Sequence, residues 1–182
     1  MGLYLVESFQ KANIFAKLAF MFLLIAEILG WIAFTTTDWG RMFTFGGDYV
    51  GYGLWRICTN LICETNDGWL LEWYGVVQAF AIIGFVTLNL GFFLVILFMF
   101  VATCKCNSDL SFWNAINCFA GAICWLISII IFGIKFDDKY DQGYGKTVSY
   151  SYILAIIALA LMIASGIVLL LTNRGGGAVS SK

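Results

Sequence analysis

Gly53-Leu54-Trp55-Arg56-Ile57-Cys58-Thr59-Asn60-Leu61-Ile62-Cys63, preceded by Trp39, lies in the one long stretch of this chain that is neither an apolar run nor a short connector. That stretch extends from Trp39 to Trp73 and is flanked by hydrophobic runs on both sides. Cys58 and Cys63 are close in sequence, and two paired strands joined by Thr59-Asn60-Leu61-Ile62 would bring their Cα atoms to bridging distance. Around them, Arg41–Phe45, Tyr49–Tyr52 and Leu54–Cys58 are short, aromatic and β-branched, and Gly46-Gly47-Asp48 and Gly53 separate them. These are strand and turn signals.

Outside this stretch the composition leaves little choice. The chain has 182 residues, is 62% hydrophobic and 12% charged, and carries a formal net charge of −1. Four apolar runs are each long enough to cross about 30 Å of hydrocarbon as a helix. They are expected at about Ile14–Thr36, Tyr74–Thr103, Phe112–Ile134 and Val148–Leu171. Residues 37–73 and 135–147 then form loops on one side of a bilayer. The connector Cys104-Lys105-Cys106-Asn107-Ser108-Asp109 lies on the other side, with both termini and a tail at 172–182. The whole is read as a single four-span membrane domain. Small residues (Ala155, Ala158, Ala160, Ala164, Ser165, Gly166) stripe the last run, as close helix packing in lipid requires. Leu3, Val6, Phe9 and Gln10 fall on one helical face, so the segment ahead of the first span reads either as a short interfacial helix or as a frayed terminus. Lys17 is placed to snorkel to the headgroups.

Lysine and arginine divide evenly between the two sides, so the positive-inside rule does not orient the chain. The cysteines do. A bridge between Cys58 and Cys63 needs an oxidising compartment, which puts the long loop outside and the termini in the cytosol. The near-neutral charge gives no surface for nucleic acid. Histidine is absent, and no phosphate loop, zinc spacing or nucleophile elbow appears. The chain is therefore expected not to be an enzyme and to need no cofactor or metal.

Trp39, Gly53-Leu54-Trp55, Cys58 and Cys63, set between the first two spans, resemble the W…GLW…C…C signature of the claudin superfamily. That superfamily takes in claudins, epithelial membrane proteins, peripheral myelin and lens fibre membrane proteins, and calcium-channel γ subunits. The resemblance implies an all-α transmembrane fold, a left-handed four-helix bundle with a small extracellular antiparallel β-sheet. It implies a plasma-membrane protein acting at cell-cell contacts or in membrane organisation, by self-association in cis and in trans within membrane lipid. The alternative is an accessory subunit of a channel or receptor. Many relatives carry Arg at the outer start of the second span where this chain has Gln78, which puts a charge-based tie to the outer loop in doubt. Claudins commonly end in a hydrophobic residue that docks on a PDZ domain; Ser180-Ser181-Lys182 does not, so no such scaffold is expected.

Individual residues follow. Trp39 and Trp55 are expected as structural anchors at the membrane interface. Cys104 and Cys106, beside the cytoplasmic end of the second span, are candidates for palmitoylation, and the resemblance points the same way. Cys118 and Cys124 are expected to pack inside the third span. Glu27 lies near mid-span, where an ionised carboxylate costs about 2.5–3.5 kcal/mol. It is expected neutral and hydrogen-bonded, to Thr87 or Ser128, or else in contact with a partner helix. Asp38, Asp48, Glu64, Asp67, Glu72, Asp137, Asp138 and Asp141 give the outer loops an acidic rim. Phe43, Phe45, Tyr49 and Tyr52 are expected as exposed aromatic tips of the sheet, available for an interface.

Overall fold

Buried positions along the long helices recur at alternating steps of three and four residues. In α1 (Ile14–Thr35) they are Ala16, Ala19, Leu23, Ala26, Gly30 and Ala33. In α4 (Tyr150–Gly176) they run Ser151, Ala155, Ala158, Met162, Ser165, Leu169. The rule holds through α2 (Glu72–Phe100), from Tyr74 and Val77 to Val95 and Phe98, and through α3 (Ser108–Lys139), from Ser111 and Ala115 to Phe132 and Phe136. A seven-residue repeat of this kind keeps one seam facing its neighbours only if helices wind left-handedly about each other. In this computed structural model the helices accordingly form a four-helix bundle in which α1 packs on α2 and α4, and α3 on α2 and α4. The α1–α2 seam is the least closely packed. The structure describes residues 7, 9–10, 12–43, 47–59, 62–66, 68, 72–101, 104, 107–139 and 145–176.

All four helices are long and apolar enough to cross a membrane, and the chain is a multi-pass membrane protein. Close approach needs small side chains, because lipid supplies no hydrophobic drive between helices. Ser165 shows how near the backbones come: its hydroxyl, on α4, donates to the Ala19 carbonyl of α1 at 3.3 Å. Of the expected stripe on α4, Ala155, Ala158, Ser165 and Gly166 are buried, whereas Ala160 faces out.

Helix ends follow polar caps and not the edge of hydropathy. Asn13 Oδ1 accepts from Phe15 N (3.2 Å) at the start of α1. Asn107 Oδ1 accepts from Asp109 N (2.9 Å), and so α3 begins at Ser108, ahead of its apolar run. Lys17 donates to the Gln10 carbonyl, ahead of the first span, at 2.9 Å, and Phe9 packs edge-on to Phe20. Leu3 and Val6 lie outside the described residues.

One end of the bundle carries a five-stranded antiparallel sheet in the order β4-β3-β2-β1-β5. The strands are β1 (Gly40–Phe43), β2 (Tyr49–Tyr52), β3 (Arg56–Cys58), β4 (Cys63–Thr65) and β5 (Lys146–Val148). Gly47, in the β1–β2 turn, has φ +83°, a left-handed conformation that glycine adopts without strain. β3 is shorter than its sequence signal because Gly53 N donates to Arg56 O (2.9 Å) and closes a turn. β5 comes from the α3–α4 connection, read from sequence only as a tight charged loop. It pairs with β1 through Arg41↔Thr147 and its neighbours, so both connections at this end build one sheet.

Candidate interaction surface

The last carbonyls of α1 have no partner within their own helix. Ile32 O accepts from Thr36 N (3.1 Å). Ala33 O accepts from Trp39 Nε1 at 2.6 Å and Phe34 O from Trp55 Nε1 at 2.9 Å. The two tryptophans of the signature thus cap the helix with their indole N–H groups, Trp39 with its ring buried in the bundle and Trp55 with its ring packed partly against it. Trp39 is fully buried, its ring 5.3 Å from Phe132 of α3 and 5.9 Å from Tyr152 of α4.

Gly53 and Leu54 complete the joint. A Cβ on Gly53 would lie 2.5 Å from Thr37 Cα and 2.8 Å from Thr36 O, so only glycine fits. The Gly53 carbonyl accepts from Tyr74 OH. Leu54, also fully buried, presents its carbonyl to Gln78 Nε2 at 2.7 Å, and the same nitrogen reaches Asn66 O at 3.0 Å. Helix α2 is therefore tied to the loop by a neutral side-chain amide, without a charged residue at position 78. Tyr74 and Asn66 went unnoticed in the sequence, since a Tyr or Asn near a span end is too common to single out.

Cys58 and Cys63 face each other across β3 and β4 and form the expected disulfide, with Cα atoms 4.1 Å apart. It closes the outermost hairpin.

A sheet residue and the residue three places on point to opposite faces. Tyr49 and Tyr52 stand in that relation, so they cannot both be exposed tips. Tyr49 is exposed, but Tyr52 is buried against Phe136, ring centroids 5.5 Å apart. Its register partner Gly40 leaves the room: a Cβ there would lie 2.4 Å from the Phe136 ring. Tyr52 is core. Phe43 is exposed and pairs with Tyr49 across β1 and β2. Phe45 lies outside the described residues.

The outward face thus carries Phe43 and Tyr49, with Arg41 next along the same face. Arg41 donates to Asp38 Oδ1 at 2.8 Å, and its guanidinium lies 5.0 Å from the Tyr49 ring centre and 5.9 Å from that of Tyr150. The hydrogen bond to Asp38 raises the Arg41 pKa further above its ordinary value. The charge is fixed in place. Arginine and aromatic rings on a rigid support are the groups that dominate protein interfaces. Of the acidic rim, Asp38 is taken by Arg41 and Asp137 pairs with Lys146 at 2.9 Å.

Glu27 does not meet Thr87 or Ser128. Thr87 Oγ1 bonds to carbonyls of its own helix, and Ser128 Oγ donates to Val77 O at 3.0 Å. Glu27 Oε1 instead accepts from Trp31 Nε1, one turn away, at 3.0 Å; its other oxygen is buried with no hydrogen-bond partner among the described residues. Helix geometry favours this local pair, since residues four apart share a face. Cys118 is buried and Cys124 partly so. Cys104 sits partly buried in the turn after α2, and Cys106 lies outside the described residues.

Among curated proteins, none matches the chain. A family model does, over residues 12–169, which takes in the first three spans, most of the fourth, the sheet and both tryptophan caps. The chain belongs to the PMP-22/EMP/MP20/Claudin family.

Proposed function

We propose that this protein organises plasma-membrane contacts, with the sheet outside the cell and both termini in the cytosol. The family is one of non-enzymatic membrane proteins, and assembly is the activity open to such a fold. The observation that carries the reading is the outward patch of Phe43, Tyr49 and Arg41, rigidly mounted and turned away from the bundle. Large aromatic groups with no core to fill are anchors for another surface. The disulfide supports the orientation, since a bridge persists in an oxidising compartment.

The test mixes cells expressing the protein with two fluorescent tags and scores enrichment where unlike cells touch. Phe43→Ala with Tyr49→Ala is expected to reach the surface normally and to lose that enrichment. Undiminished enrichment would remove the patch from the mechanism.

A second reading, an accessory subunit of a channel or receptor, is favoured by Glu27 and Trp31. This polar pair lies on a span, and Trp31 is half exposed to lipid, as a contact for a partner helix would be. Stoichiometric co-purification of a larger membrane protein, lost on replacing both residues by Leu, would decide for it.

A further inference from the structure

Where α1 ends, residues Phe34, Thr35, Thr36 and Thr37 form one wall of a groove whose other wall is Trp55 and Arg56. Its position in the chain fixes its depth. Thr35 is the last residue of the first span, so the groove opens at the level where hydrocarbon gives way to headgroups. Its lining combines the apolar rings of Phe34 and Trp55 with the donors of Thr37 and Arg56, while the Thr35 and Thr36 hydroxyls donate to carbonyls of α1. Among the described residues no acidic side chain lines it. Neither the Arg56 guanidinium nor the Thr37 hydroxyl has a partner among the described residues, whereas Arg41 is held by Asp38. Below the groove runs the loosest seam of the bundle, between α1 and α2. That seam is paved with rings: Trp55 on Phe34 (5.1 Å), Phe34 stacked on Phe85 (4.2 Å), and Phe85 against Trp31 (4.8 Å).

We propose that this groove binds a glycerophospholipid of the leaflet on the sheet side. Its phosphodiester would be held by Arg56 and Thr37, and an acyl chain would lie along the ring-paved α1–α2 seam. Charge complementarity selects the head: a guanidinium and a hydroxyl lining one groove, neither with a partner among the described residues, match a phosphate. Continuity with the seam selects a lipid over a free anion, because a soluble phosphate would leave the Phe34 and Trp55 walls without a partner. Aromatic groups at the interface suit this position, having an apolar body and a polar edge. The site differs from the outward patch in residues and in depth, and does not depend on the contact reading.

The experiment reconstitutes the full chain in phosphatidylcholine vesicles containing a photoactivatable phosphatidylcholine. A parallel set contains a photoactivatable galactolipid with the same acyl chains and no phosphate. Crosslinked peptides are mapped by mass spectrometry. The phospholipid probe is expected to label the peptides holding residues 34–37 and 55–56 more strongly than the galactolipid does. Arg56→Gln is expected to cut that excess about fivefold, the factor for a charge contact of about 1 kcal/mol. Thr37→Val should cut it less, and Lys135→Gln, at an exposed cation on the same end, should leave it unchanged. Formation of the Cys58–Cys63 bridge reports that each variant has folded. Equal labelling by the two probes in the wild type overturns the proposal, whatever the variants do. So does Arg56→Gln labelling like wild type, or displacement of the phospholipid probe by inorganic phosphate, which would mark an anion site without a lipid requirement.

Discussion

Gln78 Nε2 donates to the carbonyl oxygen of Leu54 at 2.7 Å, so the second helix holds the centre of the sequence signature by a neutral amide. The bond sits among partly buried groups and is shared with Asn66 O. Removing the donor leaves carbonyls unpaired, which costs about 1–3 kcal/mol for a buried group. Gln78→Leu is expected to lower the thermal unfolding midpoint in detergent, while Gln78→Arg, which keeps N–H donors, should be tolerated better. A Leu variant as stable as wild type would show that water or backbone movement serves both carbonyls.

The second prediction concerns the hairpin. With both thiols in one bond, Cys58 and Cys63 should resist an impermeant maleimide on intact cells until a reductant is added, and then label. Labelling without reductant would contradict the bridge. Labelling only after permeabilisation would reverse the proposed orientation.

How much of this was legible follows from which face water touches. The sheet, half in water, announced itself by turns and aromatic residues, and the bridge by cysteine spacing. The bundle's inner seams did not announce themselves, because lipid makes the outer face of each helix as apolar as the inner one. Ile28 and Val86 face out while Leu23 and Leu88 face in, and hydropathy does not separate them. Size does, as Ala19, Ala26 and Ala33 show on α1, and that pattern was read only on the last helix. Tyr52 differs for another reason: an aromatic residue type suits exposure and burial alike, and only the strand period counted from Tyr49 turns it inward. The joint made by Tyr74, Gln78 and Asn66 depends on positions distant in sequence, for which no local pattern exists.

A third prediction addresses the intramembrane pair. Glu27 accepts from Trp31, so Glu27→Gln, which retains a carbonyl acceptor, should be nearly silent in a thermal unfolding assay. Glu27→Leu and Trp31→Phe each break the bond. Combined, they should show a coupling of about 0.6 kcal/mol, the usual size for hydrogen bonds within a membrane, and not above about 1.7 kcal/mol. Strict additivity would mean that the bond contributes nothing and that the carboxyl finds another partner.

The last prediction uses the strand period to separate stability from surface. Tyr52 is buried on Phe136 above Gly40, and glycine has no side chain with which to fill the space that Tyr52→Ala would open. Truncating a large buried aromatic costs about 3–5 kcal/mol, so this variant should unfold early and be retained inside the cell. Tyr49, three residues earlier, points to the opposite face and is exposed. Tyr49→Ala should change stability by less than about 0.5 kcal/mol, reach the surface, and weaken contact enrichment by removing one ring and its stacking with Arg41. Tyr49→Phe, which keeps the ring, should restore enrichment. Pulse-chase with surface biotinylation gives the first readout and mixed-cell imaging the second. If Tyr49→Ala is retained like Tyr52→Ala, the outward face is a folding element, and its aromatic groups lose their claim to be an interface.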